Sequence, residues 1–251
     1  HSHKELIEVM KELAAKGITP LALGDRNTWT ASHLLESIMV ANLGGKKYRG
    51  LWTDRTEWSS PAMETALEEF LELLEYVNSD HGAMTWDEAV QYMVDGKCAM
   101  TVMGDFAEGY LTAKGLEPEV DFGWVPFPET AGVFVMNSDT FALPKGAVHR
   151  ENALEWLRLI GSKKGQDAFN PKKGSIPARR DARGETENYD AYQKTALRAF
   201  EEKEIVNSFT HSSIGTDAWR NAFNRIVDTF MVEQNVSETL RRLEEAEEKH
   251  L

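Results

Sequence analysis

The amino-acid sequence predicts an α/β fold, and three observations carry that expectation. Short apolar runs alternate with stretches of helical period through the first half of the chain. Start and stop signals bracket those helical stretches. Residues 121–143 break into short strands and turns before helical sequence resumes. About five strands is a thin count for 251 residues. The first element is moreover an amphipathic helix with no strand before it, whereas a doubly wound unit ordinarily opens on a strand. Something is therefore expected to be missing from the front.

Taken in order, Leu6, Met10, Leu13 and Ala14 form a helical stripe that stops at Gly17, a C-terminal cap signal. Residues 18–23 read as a short buried strand. A helix follows Asn27-Thr28, with Leu34, Leu35, Ile38 and Ala41 on one side and Gly44-Gly45 as its stop. Ser60 before Pro61 opens a long helix carrying Leu67, Phe70, Leu71 and Leu74, because proline costs nothing at the first helical position. Thr85 with Glu88 three residues on is a capping box, and that helix closes at Gly96. Residues 97–103 form the next strand, and Gly104-Asp105 starts another helix.

Pro126 and Pro128 each remove a ladder donor, so the apolar run 124–128 cannot remain a central strand. A second short strand leaves Asp139 at its end. Residues 151–169 are helical, broken at Gly161-Ser162. Residues 170–188, rich in proline, glycine and arginine, form a connection longer than a compact domain ordinarily uses. From Tyr189 onward the pattern is almost wholly helical, with Trp219, Phe223, Ile226, Val227 and Phe230 on one apolar face and Ser237 capping the last helix. No internal repeat or low-complexity segment is present.

Composition narrows the function classes. The net charge is −13, from 41 acids and 28 bases, a surface that repels phosphate backbones and argues against a nucleic-acid partner. The apolar fraction of 41% and aromatic fraction of 10% suffice for a real core, and mean hydropathy of −0.45 is that of a soluble chain. The one cysteine, Cys98, reads as a buried small side chain rather than a nucleophile. Nucleophile elbows, phosphate loops and dinucleotide fingerprints are absent from the sequence. The histidines are scattered without metal-ligand spacing, leaving His1 and His3 as terminal side chains able to chelate adventitiously.

Two chemistries remain. Asp105 and Asp139 both follow short strands and are the best candidates for a carboxylate pair of the kind glycoside hydrolysis needs. Either can equally accept hydrogen bonds from a ligand or cap a turn. Aromatic rings at element ends suit the C–H face of a pyranose while neighbouring polar groups bind its hydroxyls. Phe106 and Trp29 occupy such positions, with core packing as the alternative. Trp52, Asp54 and Glu57 read as ordinary packing or surface residues.

The strings Lys16-Gly17-Ile18-Thr19-Pro20-Leu21-Ala22-Leu23, Met103-Gly104-Asp105-Phe106, Asp139-Thr140-Phe141-Ala142-Leu143-Pro144-Lys145-Gly146, Ala168-Phe169-Asn170-Pro171 and Lys173-Gly174-Ser175-Ile176-Pro177-Ala178-Arg179 occur in that order across nearly the whole chain. Each is modest alone, and together they are specific. The chain resembles the bacterial extracellular sugar-binding proteins that feed ABC transporters, most closely their glucose/galactose-binding branch. That resemblance implies a periplasmic-binding-protein-like fold of two lobes closing on a monosaccharide, with no chemistry performed and no cofactor. It implies that residues 1–122 and 171–251 form the carboxy-terminal lobe. Residues 123–170 would be a returning segment of the amino-terminal lobe, whose remainder, on the order of 100 residues, would be absent.

By motif position, Asp139 and Lys173 look like polar partners of sugar hydroxyls, and His211 sits where such proteins carry a sugar-contacting histidine. Phe106 falls where that branch has a tryptophan in a Gly-Asp-Trp string, which keeps a stacking face and loses the indole donor. Asp105 and Trp29 complete the expected ligand set. The implied partners are a small sugar, the membrane subunits of an ABC transporter, and either an amino-terminal fragment of the same protein or a second copy of this chain. The implied location is periplasmic or extracellular, at the membrane only through the transporter. A carbohydrate-active hydrolase and an isolated interaction module stay open beside this reading.

Overall fold

The computed structural model describes residues 2–53, 55–184 and 186–250, so the readings of His1 and Asp54 lie outside the described residues. The chain forms two compact units. The first comprises His1–Met103, Pro126–Asn137 and Lys203–Leu251, and the second Gly104–Val125 and Ser138–Glu202. These boundaries differ from the expected division at 122/123 and 170/171: residues 126–137 lie in the first unit, and residues 138–170 lie in the second together with 171–202.

In the first unit, α1 (His3–Ala15) is opened by a capping box in which Ser2 Oγ accepts from Glu5 N–H and Glu5 accepts from Ser2 N–H. Its buried residues are His3, Ile7 and Met10, whereas Ala14 of the expected stripe is exposed. His3 is no free terminal side chain: its Nε2 lies 3.0 Å from Glu72 Oε2. Strand β1 (Thr19–Ala22) follows the left-handed turn at Gly17, where φ is 74°. Helix α2 (Trp29–Gly50) keeps the expected glycine break as a kink at Gly44, φ 66° and ψ 166°, and then runs on. Then come α3 (Pro61–Leu74), a 3₁₀ turn at His81–Ala83, and α4 (Trp86–Val94) with the Thr85/Glu88 capping box in place.

Strand β2 (Cys98–Thr101) pairs parallel to β1, with Thr19 opposite Cys98 and Leu21 opposite Met100. Cys98 is buried, and burial pushes its thiol up from the ordinary range, as expected for an inert packing residue. The unit's core joins α2 and α3 to the C-terminal hairpin through Leu34, Leu35, Ile38, Leu67, Phe70 and Phe230.

Helix α5 (Phe106–Ala113) opens the second unit. The proline-punctuated run is irregular backbone, and Val125 is exposed. Strand β3 (Val133–Met136) returns to the first unit. The second unit then adds α6 (Arg150–Ile160), α7 (Lys163–Lys173) and α8 (Ala191–Glu202). The Gly161-Ser162 break is real, since Ser162 Oγ caps α7 by accepting from Gly165 N–H at 3.1 Å. The long connection holds a 3₁₀ turn at Arg180–Ala182 and is tied down by Arg183, whose Nε donates to Pro177 O at 2.9 Å.

Strand β4 (Glu204–Asn207) corrects the expectation of almost wholly helical sequence from Tyr189 onward: it pairs parallel to β3 from Val133↔Glu204 to Met136↔Asn207. Helices α9 (Asp217–Glu233) and α10 (Val236–His250) finish the first unit. Among the described residues there are four strands in two parallel pairs, all within the first unit. No helix among those residues is long and apolar enough to cross a membrane.

Candidate functional site

The second unit holds four of the expected ligand residues. Asp105 immediately precedes α5, without a side-chain cap bond, and Phe106 is the helix's first residue. The Phe106 ring folds back over Gly104, so that a methyl group at Gly104 would stand 2.6 Å from Cε1; glycine is what lets the ring lie there. Lys173 ends α7, and its ammonium meets Asp139 Oδ2 at 2.8 Å. Burial raises the Asp105 carboxyl above its ordinary range, while the Lys173 charge lowers it and the Asp139 charge raises it. Asp105, Asp139 and Lys173 therefore sense one another in a single charged group, with Phe106 the neighbour of its deepest member. The Asp139 carboxylate is more than half exposed, so water screens the pair and its free contribution to stability is small.

The first unit holds the other two. Trp29 begins α2, and His211 lies in the segment after β4. Their ring centroids are 5.2 Å apart in an edge contact. Between these two predicted residues stands one the sequence reading missed, His33, whose Nδ1 is 3.1 Å from His211 Nε2. One of these nitrogens donates to the other, so the facing pair holds a single proton. Burial and then the neighbouring His211 push His33 down from 6.5 to about 3. The signal was available, since Trp29 and His33 are four apart and share a helix face.

A buried carboxylate places this cluster. Glu36 Oε1 accepts from Tyr48 Oη at 2.5 Å and from Phe209 N–H at 2.6 Å, and Glu36 Oε2 accepts from Ser208 Oγ at 2.7 Å. Ser208 Oγ in turn accepts from His211 N–H at 3.1 Å. The Phe209 ring stacks on Trp52, 3.8 Å between centroids and 11° between planes, so Trp52 is a packing residue that anchors the histidine's segment. Asp25, rather than Asn27 or Thr28, satisfies the first turn of α2 by accepting from Ala31 N–H at 2.9 Å and Thr30 Oγ1 at 2.8 Å. Two non-glycine residues with positive φ flank the cluster, Thr28 at 64° before Trp29 and Ser212 at 60° after His211. Backbone of that kind persists only where surrounding contacts hold it, and it concentrates at binding sites.

No group of three or more His, Cys, Asp or Glu suited to a metal ion occurs among the described residues. What the two groups offer is a cation, carboxylates, imidazoles and half-buried aromatic rings: hydrogen-bonding and stacking chemistry, ordered by buried supports.

Residues 2–167 match the family model of the bacterial extracellular solute-binding proteins. The chain belongs to that family. Over 249 residues it is 38% identical to an uncharacterized ABC transporter extracellular-binding protein of Pyrococcus horikoshii, covering 98% of this chain and 56% of the relative. A probable sugar-binding periplasmic protein of Brucella suis is 30% identical over 230 residues, covering 89% of this chain and 54% of the relative. The chain thus spans little more than half the length of these relatives. Among solved structures, a chitin oligosaccharide binding protein superposes with a TM-score of 0.82 at 18% identity, covering 98% of this chain and 63% of that one. The likeness establishes the periplasmic-binding-protein-like α/β fold.

Proposed function

We propose that this solute-binding protein recognises a monosaccharide of the glucose/galactose type without covalent chemistry, for delivery to an ABC importer from the periplasmic or extracellular side. The Asp139–Lys173 pair carries the reading. A carboxylate and an ammonium 2.8 Å apart can take the two ends of a vicinal diol, the carboxylate accepting from one hydroxyl and the ammonium donating to the next. Phe106, beside Asp105 at the start of α5, supplies a face for the sugar's C–H surface. Within the first unit, Trp29 and the His33–His211 pair form an aromatic and hydrogen-bonding group of their own. Relatives named as sugar-binding proteins support the substrate class, and the motif-level resemblance supports the monosaccharide.

Calorimetric titration of the chain with glucose, galactose and a chitin oligosaccharide tests the reading, with product analysis on matching glycosides. Saturable heat with a monosaccharide, lost in Asp139→Ala, is expected. Heat with the oligosaccharide alone would overturn the monosaccharide assignment. Turnover abolished by Asp105→Asn would replace the binding reading with the hydrolase one.

A further inference from the structure

Glu108, in the first turn of α5, is 4% exposed, and the diol-binding reading of Asp139 and Lys173 assigns it no task. Its Oε2 is wholly buried, and no donor reaches it. The Oε2 lies against the turn that ends α7: a methyl group on Gly174, where φ is 79°, would stand 2.1 Å from it. Its partner across the helix interface is another acid, Asp190, with which it makes a side-chain hydrogen bond. Two carboxylate oxygens repel at that approach unless one carries a proton. Asp190 already serves as an acceptor at the start of α8, where its Oδ1 takes Gln193 N–H at 2.9 Å.

We propose that Glu108 and Asp190 share one proton, and that this proton locks α5 and α8 onto the turn carrying Lys173, making Glu108 a positioning residue for the Lys173–Asp139 pair. The lock has three further parts. Gln193 Nε2 donates to Pro171 O at 2.9 Å and faces Glu108 Oε1 at 3.5 Å, bridging α8 to the last turn of α7. Gly109 of α5 lies so close to Lys173 O that a methyl group there would be 2.5 Å away. Asp105, Asp190, Gln193 and Tyr192 are the polar groups around Glu108, and the Lys173 ammonium is committed to Asp139. Burial first, then the Asp190 hydrogen bond and charge, push the Glu108 carboxyl from 4.5 to about 8. Ionisation of Glu108 would place two adjacent negative charges against Gly174 and loosen the turn that aims Lys173.

The sign of the stability effect follows from linkage. A carboxyl held above its unfolded value stabilises fully below about pH 4.5, and that contribution is lost as pH rises to about 8. The test is a carboxyl-carbon NMR titration of the whole chain, with melting temperatures of wild type and Glu108→Gln from pH 4.5 to 9.5. The amide can donate to Asp190 as the protonated acid does, and it cannot ionise. A Glu108 midpoint above pH 7, and a Glu108→Gln advantage in melting temperature that grows by several degrees between pH 5 and 8, are expected. A midpoint below pH 6, or an advantage independent of pH, overturns the proposal, and the wild-type titration alone decides it if the variant does not fold. Glucose affinity, which rests on the function proposed above, should fall at least threefold from pH 7 to 9 in wild type and stay level in Glu108→Gln. Absence of glucose binding at every pH would count against that function while leaving the proton lock to the other two readouts.

Discussion

In the proposed site Asp139 would bind a hydroxyl and Phe106 would stack on the ring, so their substitutions should separate. Removing a charged hydrogen-bond partner of a ligand costs about 2–5 kcal/mol, against about 1–3 kcal/mol for losing a stacked ring, a figure taken from bases on aromatics. Asp139→Ala is therefore expected to weaken sugar binding more than Phe106→Ala when both are titrated calorimetrically, and equal affinities for wild type and Asp139→Ala would take Asp139 out of the site. His33 gives a prediction at acid pH. Its imidazole is held down from 6.5 to about 3 in the folded chain, so the unfolded chain binds more protons between those values. Stability is present above pH 6.5 and drains as pH falls. An asparagine places an amide oxygen where Nδ1 stands and cannot titrate. Between pH 6.5 and 4, wild type should lose on the order of 1–3 kcal/mol more than His33→Asn, after allowance for partial exposure of the ring. Denaturant titrations at the two pH values read the difference directly, and identical slopes would show that the pair does not titrate as its geometry requires. His33 also marks what sequence alone left hidden. Trp29 is legible from its place at an element end and His211 from the family resemblance; the spacing of Trp29 and His33 puts the second histidine on the same helix face, but what it meets there is set by the 208–211 segment, 175 or more positions away.

Local signals fixed most elements, because caps and breakers act over three or four residues. The Thr85/Glu88 box, Pro61 and Gly17 sit where their chemistry demands. Two misses have the opposite cause. Residues 204–207 were read as helix because they lie among helices, yet Ile205 and Val206 are β-branched and β3 offers them a parallel partner, a contact over 70 residues that no local pattern reveals. The last helix is expected to have a Ser237 cap, whereas Asn235 Oδ1 takes Glu238 N–H at 3.0 Å; the cap stands two residues earlier than expected, just after Gln234, which is in the left-handed region with φ 52°. Asn235→Ala should accordingly cost about 1 kcal/mol in chemical denaturation, and Ser237→Ala close to nothing. The reverse order would restore the cap read from sequence. Helix α5 and the end of α7 approach closely at Gly109 and Gly174. Gly174→Ala meets both a left-handed backbone worth about 1–2 kcal/mol and the Glu108 carboxylate, so it should destabilise the chain by at least that amount.

At the scale of the whole chain, the two units differ in how well they bury their apolar surface. The first closes α2, α3 and α9 around Trp58, Phe70, Phe209, Trp219 and Phe230, all essentially fully buried. In the second, α6 has an amphipathic sequence and no buried residue. Trp156 is 47% exposed and Leu159 53% exposed, and Phe141, 49% exposed, packs edge-on against Trp156 with ring centroids 4.9 Å apart. Apolar side chains clustered in this way at the surface favour association, since burying them removes roughly 25 cal/mol per Å² from water. The net charge of −13 opposes it, and salt weakens that opposition by shortening the Debye length to about 10 Å at 0.1 M. Self-association of this chain is therefore expected to rise with both protein and salt concentration. Light scattering during size-exclusion chromatography should show a mass above 28.3 kDa that falls toward the monomer on dilution. In Trp156→Ser with Leu159→Ser the monomer should persist at the same concentrations, because the apolar face of α6 has been removed while its solvent-facing charges remain. A strictly monomeric wild type at high salt would mean that this face is too small or too mobile to hold a second copy.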